Sequence, residues 1–169
     1  MRKYLFDWSL LGDLKEGRPN LGPEIGLDMY RLLLFTMRDV LENRYGVEAT
    51  DEIFTAAGRI AGTEFYKHYI HPVENLEDFV QKTQRVLREK KIGILRVEEA
   101  ETKKGRVILA IDEDVDCSGL PEVEYEVCVY DEGFVAALFE QFTGAGWNAK
   151  EIDCWCTGAR TCRFLVETK

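Results

Sequence analysis

The cysteines stand at positions 117, 128, 154, 156 and 162, and three of them share the stretch EIDCWCTGARTCRF, residues 151–164. A thiolate is soft and anionic, so a set of four satisfies a tetrahedral zinc ion. Five is an odd number for a disulfide framework, which would leave one thiol over and would need an oxidising compartment. A zinc ribbon would carry tight C-x-x-C pairs, and this chain has none. The intervals of 11, 26 and 8 residues separating Cys117, Cys128, Cys154 and Cys162 are loose, although hairpins and a helix can bring such positions together. Cys154 and Cys156 differ by two, which in an extended strand would put both on one face. Spacing alone leaves a metal site, buried structural thiols and redox chemistry open, because cysteine is also among the most buried residue types.

Other chemistry is thinly represented. His68 and His71, in FYKHYIHP, are three apart and in principle could share a metal or hold haem. Lys67, the aromatic neighbours and Pro72 favour a role at a helix end instead. The acids Glu98, Glu99, Asp112 and Glu113 read as a solvated face, and Asp131 and Glu132 fall where a helix N-terminus favours negative charge. No nucleophile elbow, phosphate loop or H-E-x-x-H is present, and AAGRIAG is not followed by G-K-[ST]. The balance is against an enzyme.

The elements that must position these groups follow from periodicity. Residues 1–24, with GRPNLGP, read as a turn-rich lead-in, and 25–169 as one domain. PEIGLDMYRLLLFTMRDVLENRYG has Pro23 before a helix and Gly46 after it. Its apolar residues cover more than one face, which predicts burial by the core and by a second subunit. TDEIFTAAGRIAGTEFYKHYI predicts a second helix capped by Thr50 or Asp51, with Ala57, Gly58, Ala61 and Gly62 on one face for close helix approach or for a ligand. NLEDFVQKTQRVLREKK supplies a third, with Leu76, Phe79, Val80, Thr83, Val86 and Leu87 as its stripe. Two β runs, 92–101 and 106–112, surround a KKG turn. A fourth helix over 130–144 ends at Gly144, and strands at 148–156 and 161–167 turn at TGAR. The order α-α-α-β-β-α-β-β predicts an α+β fold, helices packed on an antiparallel four-stranded sheet.

A length of 169 residues, 46% apolar and 31% charged, suits one globular domain with a proper core. A net charge of −9 argues against general nucleic-acid binding, which needs clustered Lys and Arg. No apolar run approaches the roughly 20 residues of a membrane helix. MRKYLFDWSLLGD lacks an uninterrupted apolar stretch and a small-residue cleavage site, so a cytoplasmic protein is expected.

The segments IGILRVEE, EDVDCSGLPEVEYEVCVYDEGFVAALFE and EIDCWCTGARTCRF, in that order, resemble the 4-vinyl-reductase-type or hydrocarbon-binding domain. The last fits that family's C-x-x-x-G-x-x-x-C-x-F ending through Cys154, Gly158, Cys162 and Phe164. GRPNLG, MYRLLLFTMRD and AGRIAG look like the stand-alone prokaryotic members, so the resemblance covers most of the chain. It implies a fold shared with ligand-binding domains of nitric-oxide signalling and with Golgi tethering subunits, in which helices and a sheet enclose an apolar cavity, often in a homodimer. It also implies a structural zinc, held in aromatic-responsive relatives by three cysteines and a glutamate. The three cysteines map onto Cys128, Cys154 and Cys162. The glutamate has no clean match and falls by position near 112–117, so Cys117 is taken as the fourth ligand, with Asp114 or Asp116 as alternatives. Cys156 stands where relatives carry a small residue and is read as an extra thiol. The pocket for a small hydrophobic ligand is expected at Phe35, Phe54, Gly58, Phe65 and Phe134. The function implied is a small-molecule-binding or sensor domain that reports to a signalling partner. The alternatives are a reductase or accessory factor for a vinyl-bearing tetrapyrrole, and a pure interaction subunit.

Overall fold

The structure is a computed structural model that describes residues 3–101 and 104–169; Lys103 of the expected KKG turn lies outside the described residues. The chain divides into two compact units, Met1–Asp39 and Val40–Lys169. In the first, Asp7 caps a 3-10 turn, Trp8–Leu11, and Asp13 caps a single helical turn, α1 (Leu14–Gly17), each by accepting backbone N–H groups with its side chain. Helix α2 (Leu27–Tyr45) begins in this unit, and none of its residues is buried.

Helix α3 (Val47–Phe65) starts earlier than expected, because Gly46 at φ +83 makes the turn between the two helices in one residue. Thr50 is therefore not a cap; it lies inside the helix and donates its hydroxyl to the Gly46 carbonyl at 2.8 Å. A π turn, Tyr66–Ile70, ends α3, and α4 (Leu76–Glu89) follows under an Asn75 cap. The stripe read from its sequence is the buried one: Phe79, Thr83, Val86 and Leu87 face inward. Strands β1 (Ile94–Glu101) and β2 (Arg106–Asp112) form the first hairpin. Helix α5 (Val129–Thr143) leads into β3 (Trp147–Asp153) and β4 (Cys162–Thr168).

The architecture is α+β, with one four-stranded antiparallel sheet in the order β1-β2-β4-β3. Pairing of β2 with β4 sets Val107 beside Val166, Leu109 beside Phe164 and Ile111 beside Cys162, and all six belong to the core. Each large apolar side chain buried there contributes about 1.5–3 kcal/mol. Helices α3 and α5 cross at backbone contact. A Cβ on Gly58 would collide with the Tyr130 carbonyl, and one on Gly133 with the Thr55 carbonyl. The small face of α3 thus exists for close helix approach, which offsets the helical cost of its glycines.

Candidate metal centre

The cysteines of the quartet reach one point from two loops, the one between β2 and α5 and the one between β3 and β4. Cys162 opens β4 opposite Ile111, the penultimate residue of β2. The chain then turns through 112–117, held by Val115 N–H donating to the Ile92 carbonyl, and returns Cys117 to within 3.0 Å of Cys162, Sγ to Sγ. Cys128 caps α5, its carbonyl accepting from the N–H groups of Asp131 and Glu132. Its sulfur lies 3.7 Å from Cys162 and 3.9 Å from Cys154. The Sγ atoms of Cys117, Cys128, Cys154 and Cys162 all lie within 4.8 Å of one another and are fully buried.

Tetrahedral zinc with bonds of about 2.3 Å separates its sulfurs by about 3.8 Å. The two separations at Cys128 match that spacing, and the Cys117–Cys162 pair is tighter yet well beyond the roughly 2.05 Å of a disulfide. All five cysteines are free thiols. Hydrogen bonds from Cys117, Cys128 and Cys162 drive Cys154 far below the ordinary thiol range. The same network, led in each case by Cys117, holds Cys128 and Cys162 far above it. A divalent ion fits this donor set because it would replace the shared protons with one central charge.

Cys156 is different. It does not lie on a strand with Cys154, because β3 stops at Asp153 and Trp155–Thr157 form a 3-10 turn. Its thiol is buried outside the quartet, and burial followed by the Cys154 charge pushes it up to about 12. Its carbonyl accepts from Val123 N–H at 2.7 Å, so the residue straps the 117–128 loop to the last hairpin.

Glu151 was missed by sequence reasoning. It is 2% exposed, and its Oε2 accepts from Cys128 N–H at 3.1 Å while Oε1 has no hydrogen-bond partner. Burial, then the Cys154 charge, raises it to about 9. A legible signal existed: alternation along WNAKEID puts Trp147, Ala149 and Glu151 on the inward face and Ile152 on the outward one. A carboxyl on a core face is expensive and calls for a reason. Asp114 and Asp116, the alternatives named for the fourth position, are also buried, and Asp114 groups with Cys128 and Asp131 rather than with the thiol quartet. Burial, then Asp116, raises Asp114 to about 7.

The remaining candidates are distributed elsewhere. Asp112 pairs with Arg96, Glu99 with Arg106 and Glu98 with Arg163 along the sheet, each at 2.8 Å or less. His68 lies 3.5 Å from Glu64, His71 sits just past the π turn near the Tyr66 ring, and neither belongs to a metal-competent group among the described residues. An apolar cavity lies between α4, the first hairpin and α5; of the five expected pocket residues, Phe134 lines it. Phe65 packs edge-on against Phe134 behind it, Phe54 and Gly58 belong to the buried side of α3, and Phe35 lies on α2 in the N-terminal unit.

Comparison with known proteins places this geometry. The 4-vinyl-reductase domain matches residues 107–168, which includes every cysteine of the quartet. An uncharacterized protein of Methanocaldococcus jannaschii is 30% identical over 128 residues, 76% of this chain and 69% of its own length. The phenol-responsive sensory domain of the transcription activator PoxR superposes with a TM-score of 0.69 at 13% identity, covering 88% of this chain and 78% of that one. A vinyl-4-reductase family protein from Methanocaldococcus jannaschii gives 0.60 at 14% identity over 100% and 99%. A trafficking protein particle complex subunit 3 from Naegleria fowleri, covalently bound to palmitic acid, gives 0.64 at 12% over 85% and 92%. At these identities the solved structures establish a common fold. With the matched domain and the relative that spans most of the chain, they show that the chain belongs to the 4-vinyl-reductase domain family.

Proposed function

We propose that the chain is a small-molecule sensor domain in which Cys117, Cys128, Cys154 and Cys162 hold a structural zinc. The observation that carries this reading is the set of four buried sulfurs converging from two loops beside an apolar cavity. Four thiolates leave no open position for water, so the zinc would serve as a clasp, joining the 112–128 loop to the last hairpin and fixing the start of α5. Glu151 would stand against that clasp, its carboxyl kept protonated by burial. Asp114 and α5 line the cavity and also belong to the segments that the clasp ties, so a hydrophobic ligand and the metal would act through α5. PoxR's phenol-responsive domain and the palmitate-bound trafficking subunit support a hydrophobic ligand through their shared fold. No cofactor motif in the sequence favours the reductase alternative.

The exposed apolar residues of α2, with Met29, Leu32 and Leu33 each more than half exposed, support a homodimer. Five free thiols support a reducing, cytoplasmic location. No helix of the described residues is long and apolar enough to cross a membrane. Native mass spectrometry of the purified chain, before and after chelation, tests the reading. One zinc per chain, a dimer mass and a bound organic molecule are expected; a metal-free chain that is equally well folded would refute it.

A further inference from the structure

Strand β3 lies at the open edge of the sheet, where alternate N–H groups have no neighbouring strand to meet. Two of them are taken by glutamates of α5. Glu151 N–H donates to Glu132 Oε1 at 3.0 Å, and Trp147 N–H donates to Glu140 Oε1 at 3.2 Å. Sequence spacing makes this possible, because Glu132 and Glu140 are eight apart and Trp147 and Glu151 four apart. Eight residues of helix rise about 12 Å and four of strand about 13 Å.

The two anchors differ in what stands beside them. Glu140 also pairs with Arg59 and Lys169, at the end of α5 remote from the cysteines. Glu132 closes a ring on Cys128. Its own N–H donates to the Cys128 carbonyl at 3.2 Å, its carboxyl accepts from Glu151 N–H, and the Glu151 carboxyl accepts from Cys128 N–H at 3.1 Å. Both backbone polar groups of Cys128 are thus fixed by one closed circuit whose three residues are all buried. Three residues beyond Glu151, past an irregularity in the pairing of β3 with β4, stands Cys154, its sulfur 3.9 Å from that of Cys128.

We propose that Glu132 is a positioning residue of the metal centre, which through this ring sets the Cys128 and Cys154 sulfurs at the separation that zinc requires. The inference rests on the zinc reading above and gives a role to a residue outside the thiol quartet. Loss of the bond from Glu151 N–H lets β3 slide along the start of α5 and carries Cys154 with it. Lys150, which reaches Glu132 Oε1 at 2.8 Å, is mostly exposed and has no part in the ring.

Zinc affinity, measured by competition with a chelating dye, and the visible spectrum of the cobalt-loaded full chain read the effect. Glu132→Ala should weaken zinc roughly 10–100-fold and shift the cobalt bands. Glu132→Gln keeps an oxygen to accept from Glu151 N–H and should stay within about three-fold of the wild type, as should Lys150→Met. A residue that only supports the fold would lower the thermal midpoints of the loaded and chelated chains alike and leave affinity and spectrum unchanged. That result would overturn the inference, as would Glu132→Gln binding zinc as weakly as Glu132→Ala. If Glu132→Ala does not fold, hydrogen exchange in the wild type decides: zinc should slow the Glu151 amide roughly ten-fold more than the Trp147 amide. Equal slowing of the two would overturn the inference and leave the clasp standing. A wild type that binds no zinc would remove both.

Discussion

Helices α2 and α5 are both rich in large apolar residues, yet α5 buries ten of its fifteen residues and α2 buries none. The difference lies in what each is tied to. Helix α5 is held at its start by Cys128, notched into α3 at Gly133, and backed by β3 and β4. Helix α2 leaves Met29, Leu32, Leu33, Met37 and Val40 between 48% and 65% exposed, a surface that suits a second copy of the chain. Apolar load alone therefore does not tell a buried helix from an exposed one; the contacts that fix its ends and its backbone do.

The contrast breaks most sharply at the cysteines. Cys128→Ser or Cys162→Ser should abolish zinc binding and lower the thermal midpoint to that of the chelated protein, since metal affinity in such sites adds to folding free energy. Cys156→Ser should leave the zinc in place and cost about 1 kcal/mol or less, because the thiol lies outside the quartet and its backbone strap survives. Equal losses in all three would dissolve the distinction. The α3–α5 notch comes next. Gly133→Ala, which in an open helix would stabilise by about 1 kcal/mol, should instead destabilise by about 2–3 kcal/mol in urea unfolding, because its methyl meets the Thr55 backbone. A stabilised variant would mean that the two helices are not in backbone contact.

The hairpins, the helix stripe of α4 and the ending of α5 at Gly144 were legible in the sequence, because each follows from a period or a turn residue. The start of α3 was not: a one-residue turn at Gly46 lets two helices run together, and Thr50 looks like a cap in a position where its hydroxyl is spent on the preceding turn. The site shows the same division. The family resemblance, not the spacing, singled out four of the five cysteines, whereas Glu151 hid in an ordinary strand pattern and Cys156 was misplaced by assuming an extended backbone through 156. The walls of the cavity were the least legible. Aromatic residues on α3 mark its buried side, while the cavity is lined from α4, β1, β2 and α5, a pairing no local pattern reveals.

A smaller effect follows from the buried acids. Glu151 sits near 9 and Asp114 near 7 in the folded chain, both above ordinary carboxyl values because of burial. The folded chain then holds more protons than the unfolded one across that interval. Their contribution is fully present below about pH 4 and is lost as pH rises through 7 and 9. In the chelated protein the urea midpoint should fall from pH 5 to pH 9, and Glu151→Gln should flatten the upper part. The zinc-loaded protein should show the opposite slope on the acid side, where protons compete for the thiolates. Matching slopes in the two forms would place the acids in solvent. The smallest change is expected on α2: Leu33→Glu should shift monomer stability by no more than about 0.5 kcal/mol while lowering the mass seen by light scattering from dimer to monomer. A large loss of stability in the monomer would show that α2 is a core helix after all.

The central claim, a four-thiolate zinc clasp, is tested most directly by X-ray absorption at the zinc edge of the purified chain. The account predicts a single shell of four sulfurs at about 2.3 Å, reduced by one sulfur in Cys117→Ser. A shell of three sulfurs and one oxygen in the wild type, unchanged in Cys117→Ser and altered in Glu151→Gln, would contradict it and move the fourth ligand from the 112–117 turn to β3.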